Sequence, residues 1–174
     1  MTTLAHTGQF DAATRDAAQA LLWAAFDDLD ETDWEHCLGG MHALAHEGPA
    51  LVGHAALVQR RLLHGGRVLR AGYVEGVAVA AGSRRRGHGT AMMAALEGLA
   101  RGAYDVVALG STDEGEALYA GRGWLRWRGP TSALTPDGIV RTADDDGGVW
   151  VLPLRAALDL DGELTCDWRE GDVW

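Results

Sequence analysis

A run of arginines and glycines is the segment of this sequence that most directly suggests a ligand. It reads Arg84-Arg85-Arg86-Gly87-His88-Gly89 and lies between a predicted strand that ends near Ala80 and a predicted helix that begins at Gly87. Amides at a helix start and the helix dipole attract anions, and glycines let the backbone approach them closely. The segment therefore predicts a cradle for a diphosphate, although a basic turn before a helix can also be a solvated loop.

Two common nucleotide-binding patterns are missing from this segment. It follows neither the eight-residue P-loop pattern nor the GxGxxG fingerprint. This argues against a nucleoside triphosphatase and against a dinucleotide-dependent dehydrogenase.

Acidic residues dominate the rest of the chain, whose net charge is −10 over 174 residues. They cluster at residues 27–33, at residues 144–146 and in the tail, at Asp159, Asp161, Asp167, Glu170 and Asp172. Such a field repels nucleic acid and attracts cations, although it is equally consistent with a solvated acidic surface. The ending Asp172-Val173-Trp174 adds an indole and a last carboxylate, which together suit a docked tail that binds a cation.

The cysteines and the hydropathy favour a cytoplasmic protein without a metal. The two cysteines, Cys37 and Cys166, form no CxxC or Cys/His cluster, so we expect two free thiols and no metal site. No apolar run approaches the roughly 20 residues that a membrane helix needs, and no early stretch resembles a signal peptide. We therefore expect no membrane partner.

Periodicity predicts one domain, residues 1–174, with helices and strands in alternation. Helices are predicted at 11–26, from a Thr-x-x-Glu start at Thr32, at 87–101, and from a Ser-x-x-Glu start at Ser111 to Gly121. Strands are predicted at Met41–Ala45, Ala50–Leu63, Val68–Ala80, Asp105–Leu109, Gly123–Trp127 and Gly148–Leu154. This order is typical of an α/β or α+β fold.

Several side chains are assigned to the core by their spacing. Met92, Met93, Leu96 and Leu99 fall on one helical face, and two tryptophans, Trp23 and Trp34, stand at core positions of their helices. Three histidines, His36, His42 and His54, follow no metal spacing, and we expect them to be hydrogen-bonded structural residues.

The position of the Arg-x-x-Gly-x-Gly segment, between the fourth strand and the third helix, resembles the GNAT acetyltransferases. Leu118-Tyr119 followed by Gly123-Trp124 is similar to a later segment of that family. The resemblance implies a mixed central β-sheet, splayed at strands 4 and 5 and flanked by helices. It also implies acetyl-CoA as cosubstrate, held by Val77, Ala78, Val79, Arg84, Arg85, Arg86, Gly87, His88, Gly89 and Thr90.

Further segments narrow the resemblance to the aminoglycoside 2′-N-acetyltransferases. These segments are spread over nearly the whole chain and read ETDWEH (31–36), LGGMHAL (38–44), GYVEGVAV (72–79), GPTS (129–132), DDDG (144–147) and CDWREGDVW (166–174). Agreement of six separated segments in order is more specific than any one motif. The implied partner is a cationic aminoglycoside, and the implied assembly is a homodimer.

The resemblance assigns catalytic and substrate-binding roles. Acyl transfer from a thioester to an amine needs a base, a donor to the carbonyl oxygen and a proton for the leaving sulfur. Glu75 would be the base, acting directly or through a bridging water. Backbone amides near Val77 would be the donors, and Tyr119 would be the acid. Substrate contacts are implied for Asp28, Asp33, Glu75, Gly76, Gly110, Asp145, Asp172 and Trp174, the last through its carboxylate.

Blander interpretations stay open for several of these residues. Glu75 could be an ion-paired or solvated strand carboxylate, Tyr119 a core residue, and Asp33 a partner of its own helix start. The enzyme could also acetylate another cationic amine, such as a polyamine, a cell-wall amino sugar or a peptide. A non-catalytic module that binds acetyl-CoA is a further alternative.

Overall fold

The computed structural model describes all 174 residues, in four α-helices and ten β-strands. The chain divides into two compact units. The first contains Met1–Val58 and Val74–Leu99, and the second contains Gln59–Tyr73 and Ala100–Trp174.

The first unit holds the N-terminal strands and most of the helices. Its elements are β1 (Thr2–His6), α1 (Ala12–Ala25), α2 (Glu31–His36), β2 (Met41–Glu47), most of α3 (His88–Ala103), and parts of β3 (Ala50–His64) and β4 (Arg67–Val79). Strands β1, β2 and β3 are antiparallel neighbours in that order.

The second unit holds the remaining strands and one short helix. Its elements are the other parts of β3 and β4, then β5 (Val106–Gly110), α4 (Glu116–Ala120), β6 (Leu125–Arg126), β7 (Thr131–Thr135), β8 (Gly138–Arg141), β9 (Val149–Pro153) and β10 (Leu164–Asp167). Their order is β6-β9-β5-β4-β3-β10-β7-β8.

The sheet is mixed, as predicted. Strand β5 is parallel to β4, and β10 is parallel to β7, whereas β5 and β9 are antiparallel. The ladder of β4 with β5 covers three residue pairs and ends at Tyr73 and Ala108. A ladder this short agrees with the predicted splay of strands 4 and 5.

The core of the first unit confirms the amphipathic interpretation of α1. Ala18 and Leu22 are buried with Trp34, Cys37 and Ala56, and the partly buried residues Leu21, Ala25 and Phe26 pack against this cluster. The helix begins after Asp11, whose Oδ1 accepts a hydrogen bond of 2.8 Å from the N–H of Thr14. That bond satisfies one of the amides that a helix start leaves exposed.

Both predicted Ser/Thr helix starts are wrong. Helix α2 begins at Glu31 and is capped by Asp30, whose carboxylate accepts the amides of Thr32 and Asp33. An aspartate one turn away completes the same reciprocal pattern, so the cap is displaced by two residues from the predicted threonine. Helix α4 begins only at Glu116, after Gly115, which offers no side-chain cap.

Other differences concern exposure and the late strands. Trp23 is 44% exposed and Leu99 38% exposed, so each lies at the border of its helix face instead of in the core. Strands β1, β7, β8 and β10 have no counterpart in the sequence prediction. Both cysteines are free thiols, as expected, and no helix is long and apolar enough to cross a membrane.

Two fully buried histidines connect the start of the chain to strand β4. Thr7 Oγ1 lies 2.6 Å from His42 Nε2, His42 Nδ1 lies 2.9 Å from His54 Nε2, and His54 Nδ1 lies 2.9 Å from the carbonyl oxygen of Gly76. Both rings are 0% exposed. The expectation of hydrogen-bonded structural histidines is confirmed for this pair, which we call the histidine relay.

Burial keeps the relay uncharged. Loss of water lowers the pKa of His42 from 6.5 to about 3, with a further contribution from the neighbouring His54. Burial likewise lowers the pKa of His54 to about 4. Each ring is therefore neutral in the folded chain near pH 7 and resists protonation until the pH is much lower.

Acid should destabilise the protein before its carboxylates titrate. Because both histidine pKa values are lower in the folded than in the unfolded chain, their contribution is complete above pH 6.5 and is lost as the pH falls towards about 4 and 3. Between pH 6.5 and 5 the free energy of unfolding from urea titration should fall by roughly 1 kcal/mol per pH unit for each histidine.

Nitrogen NMR of the two rings provides the control for this prediction. In the folded protein both rings should keep the neutral signature at pH 5.5. Ring signals of His42 or His54 that titrate between pH 7 and 5.5 would contradict the assignment of the acid sensitivity to the relay.

Candidate active site

The basic turn before α3 has the geometry of an anion cradle. Residues Ala81–Ser83 form a 3-10 turn, the exposed residues 84–87 follow, and α3 begins at His88. The backbone takes positive φ at Arg85, 61°, and at Gly87, 87°. These angles bend the chain directly into a helix of 16 residues, whose first amides and dipole favour an anion such as a diphosphate.

One carboxylate already occupies part of this turn. Glu47 at the end of β2 accepts 2.7 Å from Arg86 Nη1 and lies 2.6 Å from His88 Nε2. The His88 bond, with Arg86 in support, lowers the pKa of Glu47. The side chains of Arg86 and His88 are thus oriented by Glu47, while Arg84 Nε donates to the carbonyl of Val79 and the side chain of Arg85 is exposed.

Strand β4 carries the predicted base at a bend that only glycine fits well. Glu75 is half-buried, and the next residue, Gly76, has φ +55°. A Cβ at Gly76 would lie 2.7 Å from Cys37 Sγ and 3.1 Å from a Leu22 methyl. The predicted cosubstrate residues follow directly, with Ala78 buried and with Val77 and Val79 half-buried.

The predicted acid, Tyr119, lies in α4 and is 5% exposed. Its ring centroid is 5.7 Å from that of Trp124. Burial raises the pKa of Tyr119 to about 12, so the hydroxyl keeps its proton at neutral pH. A tyrosine in this state can donate a proton, which a tyrosinate cannot.

The structure places the predicted acids of the first unit in different settings. Asp33 Oδ2 accepts 2.9 Å from the N–H of Asp30, so this carboxylate takes part in capping α2. The alternative interpretation of Asp33, as a partner of its own helix start, is therefore present in the structure. Asp28 is exposed in the segment between α1 and α2.

In the second unit the structure brings four predicted substrate residues together. Burial first, and then the charge of Asp172, raise the pKa of the half-buried Asp145. Asp172 Oδ1 accepts 3.1 Å from the N–H of Trp174. An ideal Cβ on Gly110 would lie 3.3 Å from the carbonyl carbon of Trp174. We call Gly110, Asp145, Asp172 and Trp174 the acidic cluster.

The tail that carries this cluster is docked. Trp174 is 5% exposed, and its indole N–H donates 2.9 Å to Thr142 Oγ1. Neighbouring Asp146 has a different role, because Arg141 and the amide and hydroxyl of Thr131 bind it and hold its pKa well below the usual range. Of the three aspartates 144–146, Asp145 is the one whose pKa is raised by the charge of Asp172.

Sequence reasoning missed the residues that hold the tail. Arg60 in β3 is 5% exposed and donates 2.8 Å to Asp167 Oδ1, 2.7 Å to the carbonyl of Asp167 and 2.7 Å to the carbonyl of Val173. Its guanidinium lies 4.8 Å from the ring centroid of Tyr73, and that of Arg169 lies 5.5 Å from the same ring. Arg169 also donates to the carbonyls of Asp172 and Trp174.

A signal for Arg60 existed in the sequence. An arginine at a buried position of a largely apolar strand needs a partner, because an unpaired buried charge is costly. The partner lies 107 residues away, in β10, and spacing along the chain does not reveal such a pair. No group of three or more His, Cys, Asp or Glu residues is arranged to hold a metal ion.

Comparison with known proteins gives a consistent family assignment. A family described as "Acetyltransferase (GNAT) domain" matches residues 10–125. An aminoglycoside 2′-N-acetyltransferase of Mycolicibacterium fortuitum is 51% identical over 177 residues, which cover 98% of this chain and 90% of that protein.

Solved structures show the same fold at low sequence identity. Eis1 from Mycobacterium abscessus has a TM-score of 0.62 and 19% identity, over 76% of this chain and 33% of its own. This chain therefore spans about a third of Eis1. The ribosomal-protein-S18-alanine N-acetyltransferase of Escherichia coli has a TM-score of 0.58 and 17% identity, over 90% of this chain and 96% of its own.

Removal of the buried guanidinium should destabilise the second unit far more than removal of an exposed one. Arg60→Met leaves Asp167 and two carbonyls without their donor and should cost about 3 kcal/mol of unfolding free energy. The matched control is Arg128→Met, because the Arg128–Asp161 pair is 57% and 67% exposed and its loss should change the unfolding free energy far less. Urea titration measures both, and equal losses would contradict the role of Arg60.

Proposed function

Because this chain belongs to the GNAT acetyltransferases, and within them to the aminoglycoside 2′-N-acetyltransferases, we propose that it transfers acetyl from acetyl-CoA to the 2′-amino group of aminoglycosides. The observation that carries this proposal is 51% identity over 98% of the chain to a protein of that name. Identity of this extent covers both compact units. Antibiotic resistance would be the consequence of the reaction.

The basic turn fits the diphosphate of acetyl-CoA. Its donors are backbone amides at the start of a 16-residue helix, and Arg84 and Arg85 are exposed beside them. Nothing lies within 4 Å of an added Cβ at Gly87, so the backbone is open to a ligand there. Glu47 fits this role too, because it holds Arg86 and His88 at the turn before a ligand arrives.

The acidic cluster fits a polycationic substrate. Burial raises the pKa of Asp145, and repulsion between Asp145 and Asp172 raises it further. A ligand ammonium group bound between them would relieve that repulsion and hydrogen-bond both carboxylates. The indole of Trp174 stiffens the site because it is itself fixed by Thr142. We assign Asp28, Asp33, Glu75 and Gly76 to further substrate contacts by family resemblance.

The proposed mechanism uses three groups of this chain. Glu75 takes the proton that the 2′-ammonium group must lose before its nitrogen attacks the acetyl carbon, directly or through a water. The backbone N–H of Val77 donates to the acetyl oxygen as that oxygen gains negative charge. Tyr119, whose hydroxyl is protonated at neutral pH because burial raises its pKa to about 12, gives its proton to the sulfur as the carbon–sulfur bond breaks.

We also propose one acetyltransferase domain over residues 1–174, since β3 and β4 each contribute residues to both compact units. The exposed apolar residues Leu134 and Ile139 are register partners in β7 and β8 and therefore share one face, which offers a surface for a second copy, in support of a homodimer. Two buried free thiols fit a reducing compartment such as the cytoplasm.

A matched pair of aminoglycosides tests the reaction. Kanamycin B carries an amine at the 2′ carbon, where kanamycin A carries a hydroxyl. Thiol release from acetyl-CoA should be rapid with kanamycin B and remain at the background level with kanamycin A. Equal release with both would contradict 2′ regiospecificity. Release only with polyamines, amino sugars or peptides would assign a different amine, and no release with any amine would favour a binding module.

Two substitutions test the catalytic roles. Glu75→Gln and Tyr119→Phe should each lower kcat/KM for kanamycin B by about a hundredfold or more, which is the usual contribution of a general base or acid. Calorimetry should find acetyl-CoA affinity unchanged, because neither side chain is assigned to the diphosphate. The controls are Glu163→Gln and Tyr104→Phe, and a loss of the same size in a control would argue against specific roles.

A further inference from the structure

The histidine relay ends on the carbonyl of Gly76, one residue after the proposed base. That carbonyl accepts 2.9 Å from His54 Nδ1, in a part of the first unit where His54 itself is 0% exposed. The proposed mechanism uses neither histidine of the relay. Its end point nevertheless lies on the peptide that also contains the Val77 amide.

The hydrogen bonds of the relay determine both ring tautomers. A carbonyl can only accept, so His54 Nδ1 carries the proton and His54 Nε2 does not. His42 Nδ1 must then donate to that bare nitrogen across 2.9 Å, which leaves His42 Nε2 bare. The hydroxyl of Thr7 supplies the last donor across 2.6 Å. Every member of the chain is satisfied, and each ring is held in one tautomer.

Because the peptide bond is rigid, the orientation of the Gly76 carbonyl also fixes the orientation of the Val77 N–H. The structure has no cis peptide, so the C=O of Gly76 and the N–H of Val77 are antiparallel in one rigid plane. A hydrogen bond that pulls the carbonyl oxygen towards His54 therefore points the Val77 N–H away from His54. That N–H is the proposed donor to the acetyl oxygen.

The hydrogen bond from His54 is needed because residue 76 is a glycine. With no side chain and a φ of +55°, Gly76 allows the following peptide plane to rotate more freely than any other residue would. An N–H donor that rotates freely before the reaction stabilises the oxyanion less, because this stabilisation depends on dipoles that are already oriented. Cys37 Sγ and Leu22 fill the space where a side chain would otherwise restrict the bend.

We propose that His54 is a positioning residue for acetyl transfer: its bond to the Gly76 carbonyl fixes the Gly76–Val77 peptide so that the Val77 N–H faces the acetyl oxygen. His42 and Thr7 keep His54 in the donating tautomer. This inference rests on the proposed use of acetyl-CoA, and it is independent of which amine accepts the acetyl group.

Infrared spectroscopy of bound acetyl-CoA, labelled with carbon-13 at the acetyl carbonyl, reads the donor directly. A hydrogen bond to the oxygen lowers the carbonyl stretching frequency relative to free acetyl-CoA. In the His54→Leu variant the band should return towards the free position, and kcat should fall about tenfold to a hundredfold, less than complete removal of an oxyanion donor costs. His54→Asn, whose amide nitrogen can replace Nδ1, should restore both.

A buried control separates positioning from general loss of stability. Leu57→Ala removes a side chain that is 3% exposed on the same strand and lies outside the relay. It should lower the unfolding free energy while the infrared band and kcat stay near those of the unchanged protein. A band that stays at its original frequency in His54→Leu, or that moves equally in Leu57→Ala, would overturn the inference.

A second measurement needs no substitution, so it applies even if His54→Leu does not fold. The amide proton of Val77 should shift downfield when acetyl-CoA binds and shift much less with S-ethyl-CoA, which lacks the carbonyl. Equal shifts with both ligands would overturn the inference. Because the infrared band and the amide shift are both measured without an acceptor amine, a protein that gives both expected results and fails to acetylate kanamycin B would refute the proposed substrate alone.

Discussion

The structure depends on the rule that polar groups removed from water must find partners. Each unit contains a buried polar chain that meets this rule. In the first unit, Thr7, His42 and His54 lead to the carbonyl of Gly76, and in the second, Arg60 binds Asp167 and Val173. A donor left unpaired at either place would cost about 1–3 kcal/mol. Both chains end on backbone beside proposed functional residues, so the demand for partners also fixes the site.

Within each unit, some charged side chains are paired with a residue of opposite sign. The basic turn stands in a protein of net charge −10, and Glu47 offsets part of its charge through Arg86 and His88. In the second unit, Arg141 neutralises Asp146, whereas Asp145 and Asp172 act on each other. The repulsion between Asp145 and Asp172 is thus located where the docked tail returns.

The sequence was sufficient for elements with a strong local pattern and insufficient for those fixed by distant contacts. Helices α1 and α3 and strands β3 and β4 were predicted close to their observed bounds because their apolar patterns are long, and β5 because it is an apolar run between Gly102 and Gly110. Strand β10 is short, and its neighbours in the sheet lie on segments about 30 and 100 residues earlier. The cap of α2 was misplaced because the prediction followed the Thr-x-x-Glu spacing, whereas aspartate is the stronger cap and Asp33 takes the reciprocal position three residues after Asp30. The acidic cluster followed from family resemblance, whereas Arg60 required its partner to be seen.

The residues proposed for acetyl transfer lie within the family match, whereas part of the proposed substrate site lies beyond its end. The acetyltransferase match covers residues 10–125, which include the basic turn, Glu75, the histidine relay and Tyr119. The acidic members Asp145 and Asp172, with Trp174, lie beyond it. Proteins with the same fold at 17–19% identity, such as Eis1 and the S18-alanine acetyltransferase, share an architecture without implying a shared substrate. Under the proposed function, acetyl transfer belongs to the common part, and the late strands and the docked tail add Asp145, Asp172 and Trp174 to the proposed substrate contacts.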